Sequence, residues 1–239
     1  MFDRLIKKRP ITFYGITDHW KDRDGLTGNG KWNEKAMADP ENYMTYEELK
    51  LSAKIQLSTE TLLINDGGRF NKGACGVQGS FLEEAVYVGA VGARFEKRKV
   101  MEHQEMVTEE KDSTSSEPVG KKFFNVDKYK ERMRITFETF LIEANARGVA
   151  ANNKQVYCHV VGLGLGVWQL KGYQKQTEHF LSSFKDSLER LSGNNQIKNI
   201  GVIDFSYIDE KLSFEDVKCV KIKFSKRNPF EKLSNEVSV

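Results

Sequence analysis

Apolar positions follow two different spacings along the chain. Spacings of three and four residues predict helices, and short apolar runs between turn residues predict strands. The predicted helices cover residues 45–55, 80–97, 128–146 and 174–191, and the predicted strands cover 61–64, 156–161, 200–205 and 217–224. In the last strand, apolar residues alternate with Lys221 and Lys223, which is typical of an edge strand with one wet face. The alternation of helices and strands predicts an α/β fold with a sheet covered on both faces.

The polar stretches predict how the chain is organised. Residues 1–44 are polar and turn-rich, which indicates an irregular N-terminal lobe. Residues 45–232 carry the alternating elements and are expected to form one domain. Within it, residues 104–121 are polar with a core of Ser, Thr, Glu and Pro and are predicted to be a flexible insertion or surface loop. Residues 233–239 are predicted to be a disordered tail.

Composition narrows the class of protein. Of 239 residues, 39% are hydrophobic, and 37 basic against 34 acidic residues give a net charge of +3, so a nucleic-acid polymer is not the expected partner. No apolar run approaches the roughly 18 residues of a membrane span, and no secretion signal is seen, so a cytoplasmic location is expected. Neither the three cysteines nor the four histidines show metal-ligand spacing, so neither a metal nor a cofactor is expected.

The most informative stretch is the glycine-rich loop after the strand at 61–64. Its glycines stand at positions 67, 68, 73, 76 and 79, and they let backbone N–H groups approach a phosphate. Ser80 and Glu83 match the S-x-x-E capping box of a helix start, which leaves Glu84 free to face the loop. Acids beside a phosphate cradle indicate chemistry on a group attached to the phosphate, such as a ribose. The plainer alternatives are a simple connection and, for Asp66, a turn residue.

A second glycine loop follows the strand at 156–161. Its sequence, GLGLGVW, covers residues 162–168. It lacks the third glycine and the later acidic residue of a dinucleotide fingerprint, and the chain has no Walker lysine motif in the first loop. A Rossmann dehydrogenase and a P-loop NTPase are therefore excluded. Two glycine loops in one α/β domain favour a diphosphate ligand, because a diphosphate needs donors on two sides.

The segment GACGVQGSFLEEA, residues 73–85, resembles a known signature. It is similar to the GGG…QEE diphosphate loop and acidic pair of the poly(ADP-ribose) glycohydrolase branch of the macrodomain superfamily. Residues 73–76 stand in for the glycine triplet, which Ala74 and Cys75 interrupt, and residues 81–84 stand in for QEE without its Gln. Residues 161–168 resemble the second phosphate loop. The chain also resembles a macrodomain-like family that includes a bacterial effector hydrolysing ADP-ribosylated ubiquitin.

The resemblance implies a three-layer α/β/α macrodomain-like mixed sheet that binds ADP-ribose. The expected activity is hydrolysis of the glycosidic bond at the distal ribose of an ADP-ribosylated protein. Glu84 would be the catalytic acid, Glu83 would position the ribose hydroxyls or cap the helix, and Asp66 would hold the ribose together with Asn65. Trp168 or Phe95 would stack on adenine. The expected diphosphate cradle comprises Gly73, Gly76, Val77, Gly79, Ser80, Gly162, Gly164, Gly166 and Val167.

Two other functions stay open at this point. The same fold could bind ADP-ribose without turnover, as a non-catalytic module that recognises the modification. It could also be an enzyme acting on free ADP-ribose derivatives. Release of ADP-ribose from a modified protein separates the first two functions, since binding is common to both.

Overall fold

The structure is a computed structural model that describes residues 19–21, 27–29, 56–68, 70–96, 98–99 and 101–233. The chain divides into two compact units, Met1–Ser52 and Ala53–Val239. In the first unit, strand β1 (His19–Lys21) pairs antiparallel with strand β2 (Thr27–Asn29). The predicted helix at 45–55, the rest of the N-terminal lobe and positions 234–239 of the predicted tail lie outside the described residues.

The centre of the second unit is a parallel sheet with two long helices. Strands β8 (Val156–Val161), β9 (Ile200–Ser206) and β10 (Lys221–Ser225) pair in the order β10-β9-β8. Helix α2 (Val126–Ala150) precedes β8, and helix α3 (Gln176–Gly193) connects β8 to β9. These elements confirm the predicted α/β class, and β10 lies at the edge of this sheet as expected. The macrodomain-like three-layer arrangement stays a prediction.

Aromatic side chains join the two helices to the sheet. Phe137 of α2 contacts Phe180 and Phe184 of α3, with ring centroids 5.0 and 4.9 Å apart. Phe184 in turn lies 4.9 Å from Phe205 of β9. All four rings are almost completely buried. Since full burial of one such ring stabilises a fold by roughly 1.5–3 kcal/mol, this cluster is a principal source of the unit's stability.

The predicted helix at 80–97 is wrong. Strand β4 (Glu84–Gly89) lies there instead, paired antiparallel with strand β3 (Leu57–Leu62) so that Leu62 faces Glu84. The sequence Val86-Tyr87-Val88 is β-branched and aromatic, which favours a strand once a partner strand is available. Ser80 is not a helix cap, because its Oγ donates to the Val77 carbonyl at 2.7 Å.

Regular structure also occupies the predicted loop at 104–121. Helix α1 (Met101–Met106) leads into a small antiparallel sheet of order β5-β7-β6. Its strands are β5 (Val107–Thr108), β6 (Ser116–Val119) and β7 (Lys122–Asn125). Whether the segment is flexible stays a prediction.

A single carboxylate organises this small sheet. Asp112 accepts hydrogen bonds from Ser116 at 2.7 Å, from Asn125 at 3.0 Å and from Lys128 at 3.0 Å. These donors lower the pKa of Asp112 to about 2. Asn125 also caps α2 by accepting the Lys128 backbone N–H. Composition alone could not predict this small sheet, because polar residues that bond to one another have the same composition as polar residues in a solvated loop.

Within the described part of the chain, no helix is long and apolar enough to cross a membrane.

Candidate functional site

The first glycine loop, residues 65–82, is closed at its base by Asn65. The Asn65 Oδ1 accepts the Gly67 backbone N–H at 2.9 Å, and its Nδ2 donates to the Ala74 carbonyl at 2.6 Å. The Gly76 N–H donates to the Ile64 carbonyl at 2.7 Å, across the same base. Both polar atoms of the Asn65 side chain therefore serve the shape of the loop.

Asp66 anchors the same loop. Its Oδ1 accepts the Gly68 backbone N–H at 2.9 Å and the Asn71 amide at 3.3 Å, and its Oδ2 accepts the Asn228 amide at 2.8 Å. The bond from Gly68 is the main reason that the pKa of Asp66 lies below its ordinary value, with Asn228 and Asn71 adding to the effect. A carboxylate held ionised by three donors is suited to holding a loop and poorly suited to donating a proton.

A distant segment, residues 226–232, completes the anchoring. The Phe230 N–H donates to the Asp66 carbonyl, and the Leu82 N–H donates to the Phe230 carbonyl, both at 2.9 Å. Gly67 has φ +74, and a Cβ there would lie 2.5 Å from the Phe230 ring. The close approach of this segment to the loop therefore requires glycine at position 67.

The glycines of the first loop have two separate uses. A Cβ at Gly76 would lie 2.9 Å from the Phe81 ring and 3.0 Å from the Asn65 Cα, so this glycine permits packing within the loop. A Cβ at Gly73 or Gly79 would meet no atom within 4 Å. The backbone at Gly73 and Gly79 therefore faces open space, whereas that at Gly76 does not.

The acidic pair lies at the end of this loop. Glu84 is the first residue of β4, and Glu83 immediately precedes it; both are exposed. Neither carboxylate has a hydrogen bond or ion pair with any residue of the described ranges. The predicted capping role of Glu83 is wrong, because a strand starts here and no helix. What remains is a pair of exposed carboxylates beside the glycine loop.

The second glycine loop, residues 162–168, follows the carboxyl end of β8. Gly164 has φ +80, and a Cβ there would lie 2.6 Å from the Ala93 carbonyl oxygen. On the other side, a Cβ at Gly92 would lie 2.3 Å from the Leu163 carbonyl oxygen. Gly166 has open space around it, and Val167 beside it is 75% exposed. Glycine at 92 and 164 thus allows two backbones to touch, while Gly166 leaves a surface free for a ligand.

Neither predicted adenine-stacking residue presents a free ring. Phe95 is buried in the core, with its ring centroid 5.6 Å from that of Phe124, so its stacking role is wrong. The Arg94 guanidinium lies 4.5 Å from the centre of the Trp168 ring, which covers one face of the indole. The Trp168 carbonyl accepts the Phe95 N–H at 2.8 Å. Trp168 therefore holds the loop against residues 92–95.

The structure adds an aromatic side chain that the sequence argument missed. Tyr207 directly follows β9, is 62% exposed and has φ +59, an uncommon conformation for a residue other than glycine. Its N–H donates to the Ser225 carbonyl at 3.0 Å, which fixes the turn. In parallel sheets, ligands bind beyond the carboxyl ends of the strands, which is where Tyr207 lies. A tyrosine just after a predicted buried strand was the available signal.

A polar cluster on the sheet was missed as well. Asp204 is completely buried, and its Oδ2 accepts the Tyr157 hydroxyl at 2.6 Å and the Ser225 hydroxyl at 2.9 Å. Burial, followed by the bond to Asp204, raises the pKa of Tyr157. His159 lies opposite Asp204 in the register, and burial lowers its pKa. Alternate polar positions within the otherwise apolar strands β8 and β9 were the signal for this cluster.

Metal chemistry has no candidate centre in the residues that the structure describes. Among them, no group of three or more His, Cys, Asp or Glu side chains is placed to hold a metal ion. The candidate site residues therefore lie on two glycine loops, in an exposed acidic pair and at an exposed tyrosine.

These features define an α/β protein with two glycine-rich loops that follow strands. Comparison with known proteins identifies the family: the model for the MavL-like ADP-ribosylhydrolases matches residues 1–122 and 116–238. The chain belongs to this family. The match confirms the predicted relationship to proteins that hydrolyse ADP-ribose linkages, while the assignment to the poly(ADP-ribose) glycohydrolase branch stays a prediction.

Two curated relatives from Drosophila melanogaster are similar over almost the whole chain. ADP-ribosylarginine hydrolase CG3568 is 29% identical over 303 residues, covering 99% of this chain and 59% of the relative. ADP-ribosylarginine hydrolase CG2909 is 27% identical over 296 residues, covering 97% of this chain and 58% of the relative. The chain thus spans about three fifths of the length of these relatives.

Proposed function

We propose that this chain is a hydrolase that releases ADP-ribose from modified proteins by cleaving the glycosidic bond at the distal ribose. The observation that carries the proposal is the match to the ADP-ribosylhydrolase family, which covers both glycine loops and the acidic pair. Because both curated relatives are named ADP-ribosylarginine hydrolases, arginine is the modified residue that we propose. A cytoplasmic location stays a prediction.

The diphosphate is proposed to lie against the open backbone of the two loops. Gly73, Gly79 and Gly166 are the positions where no neighbouring atom would meet a Cβ, so a phosphate can approach the main chain there. Asn65 and Asp66 act by holding the first loop in place and not by direct contact with the ribose. Tyr207 takes the role first assigned to Phe95, because its exposed ring offers a face for adenine to stack on.

Glu84 is the proposed catalytic carboxylate. It activates a water molecule whose oxygen bonds to the anomeric carbon of the distal ribose while the bond from that carbon to the arginine nitrogen breaks. The bonding electron pair goes to the nitrogen, which receives the proton that Glu84 takes from water. Free ADP-ribose and an unmodified arginine result. Glu83 is the proposed partner that orients the ribose hydroxyls.

A non-catalytic binding module is the second candidate, and one observation favours it. Catalytic groups are normally held by supporting hydrogen bonds, whereas neither Glu83 nor Glu84 has such a bond to a described residue. Under this alternative the loops bind ADP-ribose, and the acidic pair contributes no turnover.

Turnover is the measurement that separates the two candidates. The protein is incubated with an arginine-ADP-ribosylated protein, free ADP-ribose is quantified by mass spectrometry, and ADP-ribose binding is measured by calorimetry. We expect release by the wild type and a rate about 10²–10⁴-fold lower in Glu84→Gln with binding retained. Binding without release would establish the binding module, and absence of both would reject both candidates.

Two matched variants test the assignment of the carboxylates. Glu83→Gln, one residue away on the same exposed turn, should reduce the rate less than Glu84→Gln does. Asp66→Asn keeps the size of the side chain and should act through the stability of the loop, which would show as weaker binding and not as slower chemistry at saturation. If Asp66→Asn abolished turnover at saturating substrate while Glu84→Gln did not, the catalytic carboxylate would lie at the base of the loop.

A further inference from the structure

A separate cavity of about 590 Å³ lies in the second unit, outside both glycine loops. Its volume is within the range of roughly 300–1,000 Å³ that is typical of small-molecule sites. The described residues that line it are at positions 95, 96, 98, 103, 107, 119–122 and 170–172. They bring together α1, the turn between β6 and β7, and the segment before α3. The apolar part of the wall includes Leu170 and Val119.

The charges around this cavity are mostly unneutralised cations. Arg98, Lys121 and Lys171 line it, and none of the three has an ion pair or hydrogen bond with the described residues. Lys122 also lines it and is paired with Glu109 at 2.6 Å. Among the described residues of the wall, Glu96 is the one carboxylate. Three cations that have no counter-ion among the described residues create a positive potential around this cavity, which an anion would relieve.

A buried histidine gives the cavity a neutral donor. His103 is 5% exposed, and its Nδ1 accepts the Lys99 backbone N–H at 3.3 Å. The remaining proton of the neutral ring is therefore on Nε2, where it can be donated. Burial, helped by the nearby charges of Lys122 and Arg98, lowers the pKa of His103 and keeps the ring neutral. Lys99 has φ +62, a strained conformation of the backbone that presents this N–H.

Glu96 supplies an unused acceptor. One of its oxygens, Oε1, is bonded to Arg94 at 2.6 Å. The other, Oε2, is buried and has no hydrogen-bond partner among the described residues. A buried carboxylate oxygen without a donor is unfavourable, and a ligand N–H or O–H would satisfy it once the Glu96 side chain turns toward the cavity. The cavity therefore combines an excess of cations, a neutral donor, one free acceptor and an apolar wall.

We propose that this cavity is a second ligand site, for a phosphate-bearing molecule of the size of a mononucleotide. Arg98, Lys121 and Lys171 bind the phosphate, Glu96 accepts a hydrogen bond from the base or sugar, and Val119, which is only partly buried, contacts the flat face of the base. A free nucleotide and the adenylate half of ADP-ribose share this chemistry. The proposal does not depend on hydrolysis at the glycine loops.

Calorimetry with AMP, ADP-ribose and inorganic pyrophosphate tests the site. Lys121 lies in the two-residue turn between β6 and β7, so Lys121→Glu reverses a charge without disturbing the core. The matched control is Lys154→Glu, an exposed lysine before β8 and away from the cavity. We expect wild type and Lys154→Glu to bind AMP alike, at least tenfold more tightly than Lys121→Glu. Pyrophosphate should lose affinity in parallel, because the cations hold the phosphate.

The release assay locates the site relative to the glycine loops. Lys121→Glu should release ADP-ribose from a modified protein at the wild-type rate, and it should bind one ADP-ribose fewer if the adenylate half is the ligand. An unchanged number of bound ADP-ribose molecules, with lost AMP binding, would assign the site to free nucleotides. Equal AMP affinity in Lys121→Glu and Lys154→Glu, no AMP binding at millimolar concentration, or loss of ADP-ribose release in Lys121→Glu would each overturn the proposal. Absence of release by the wild type would reject the hydrolase and leave the AMP result standing.

Discussion

The two glycine loops are similar in sequence, but different interactions hold their conformations. The first loop, residues 65–82, is held by hydrogen bonds from side chains, above all those of Asn65 and Asp66. The second loop, residues 162–168, is held by close contact of its backbone with residues 92–93 and, at Trp168, by the Phe95 N–H and the Arg94 guanidinium. A glycine-rich sequence therefore does not by itself determine the structural role of its glycines. In the first loop Gly67 and Gly76 leave room for the rings of Phe230 and Phe81, and in the second loop Gly164 permits two backbones to touch.

Because the two loops are held in different ways, we expect them to respond to different substitutions. A loop held by polar side chains responds to the charge of those side chains and to the loss of a single distant partner. A loop held mainly by steric fit responds more strongly to added volume than to a change of charge. Variants and conditions that act on one loop and leave the other unchanged test this contrast.

Added volume at the second loop should destabilise the protein most. In Gly164→Ala, the new methyl group lies in contact with the Ala93 carbonyl, and the residue must keep φ +80. The left-handed conformation costs about 1–2 kcal/mol and the overlap about 1–3 kcal/mol, so the free energy of unfolding should fall by about 2–5 kcal/mol. Urea unfolding measures the change. Gly166→Ala, two residues on and in open space, should stay within about 1 kcal/mol of wild type, and equal losses in both variants would refute the steric account.

Added volume at the first loop should have a smaller effect. Gly76→Ala places a methyl group about 3 Å from both the Phe81 ring and the Asn65 backbone. Because Phe81 is only partly buried and can shift, we expect a loss of about 1–3 kcal/mol, detected in the same unfolding experiment. ADP-ribose binding should weaken as well, since the loop changes shape. Val77→Ala, at an exposed neighbouring position, should alter stability by no more than about 0.5 kcal/mol, and an effect as large as that of Gly76→Ala would contradict the packing role of Gly76.

Removal of a distant amide should loosen only the first loop. Asn228→Ala deletes the 2.8 Å bond to Asp66, so the amides of Gly68 and Phe230 should exchange with deuterium faster than in wild type. The amides of the second loop should be unaffected. Asn71→Ala removes a longer bond of 3.3 Å to the same carboxylate and should give a smaller acceleration. Faster exchange in the second loop of Asn228→Ala would show that the two loops are coupled and not independently built.

Low pH should produce the smallest difference between the two loops. The pKa of Asp66 lies below its ordinary value of 3.8, so the folded loop favours the ionised form. The contribution of Asp66 is therefore fully present above about pH 4 and is lost as the pH falls through its lowered pKa. An NMR titration of the Gly68 amide should show this transition, and Asp66→Asn should abolish it. The Gly164 amide should not follow it; a shared transition would mean that the second loop also depends on a carboxylate.

The regular core was predictable because its signals are strong and local. The apolar positions of α2 recur every three or four residues, from Tyr129 to Ala144, and the strands β8 and β9 are short β-branched runs. Each of these patterns has one consistent interpretation over many residues. The parallel sheet and both long helices were therefore located to within a few residues.

The hairpin of β3 and β4 could not be separated from a helix by spacing alone. Phe81, Ala85 and Val88 fit a helical period by coincidence, and the information that decides is the antiparallel pairing of β4 with β3. Strand formation depends more on neighbours than helix formation does. The same limit applies to Asn228, whose bond to Asp66 spans 162 residues and leaves no local trace in the sequence.

The candidate site was predictable in its composition and not in its construction. Glu84 and the two glycine loops were identified from motifs that a short stretch of sequence contains. The use of Asp66 as an anchor, the burial of Phe95 and the exposure of Tyr207 each depend on what lies opposite in space. Motifs identify chemistry, whereas the partner of each side chain is set by the tertiary fold.

The contact between residues 66 and 228 also sets an order of events during synthesis. A ribosome delivers Asp66 long before Asn228 and Phe230, so the first loop emerges without the segment that anchors it. Contacts of such high sequence separation form late, because a long stretch of chain must first be ordered. The parallel sheet and its helices can assemble in the meantime around their own aromatic cluster. A nascent chain stopped before residue 226 would accordingly contain the core yet lack the segment that anchors the first loop, so that loop would acquire its final shape only in the last steps of synthesis.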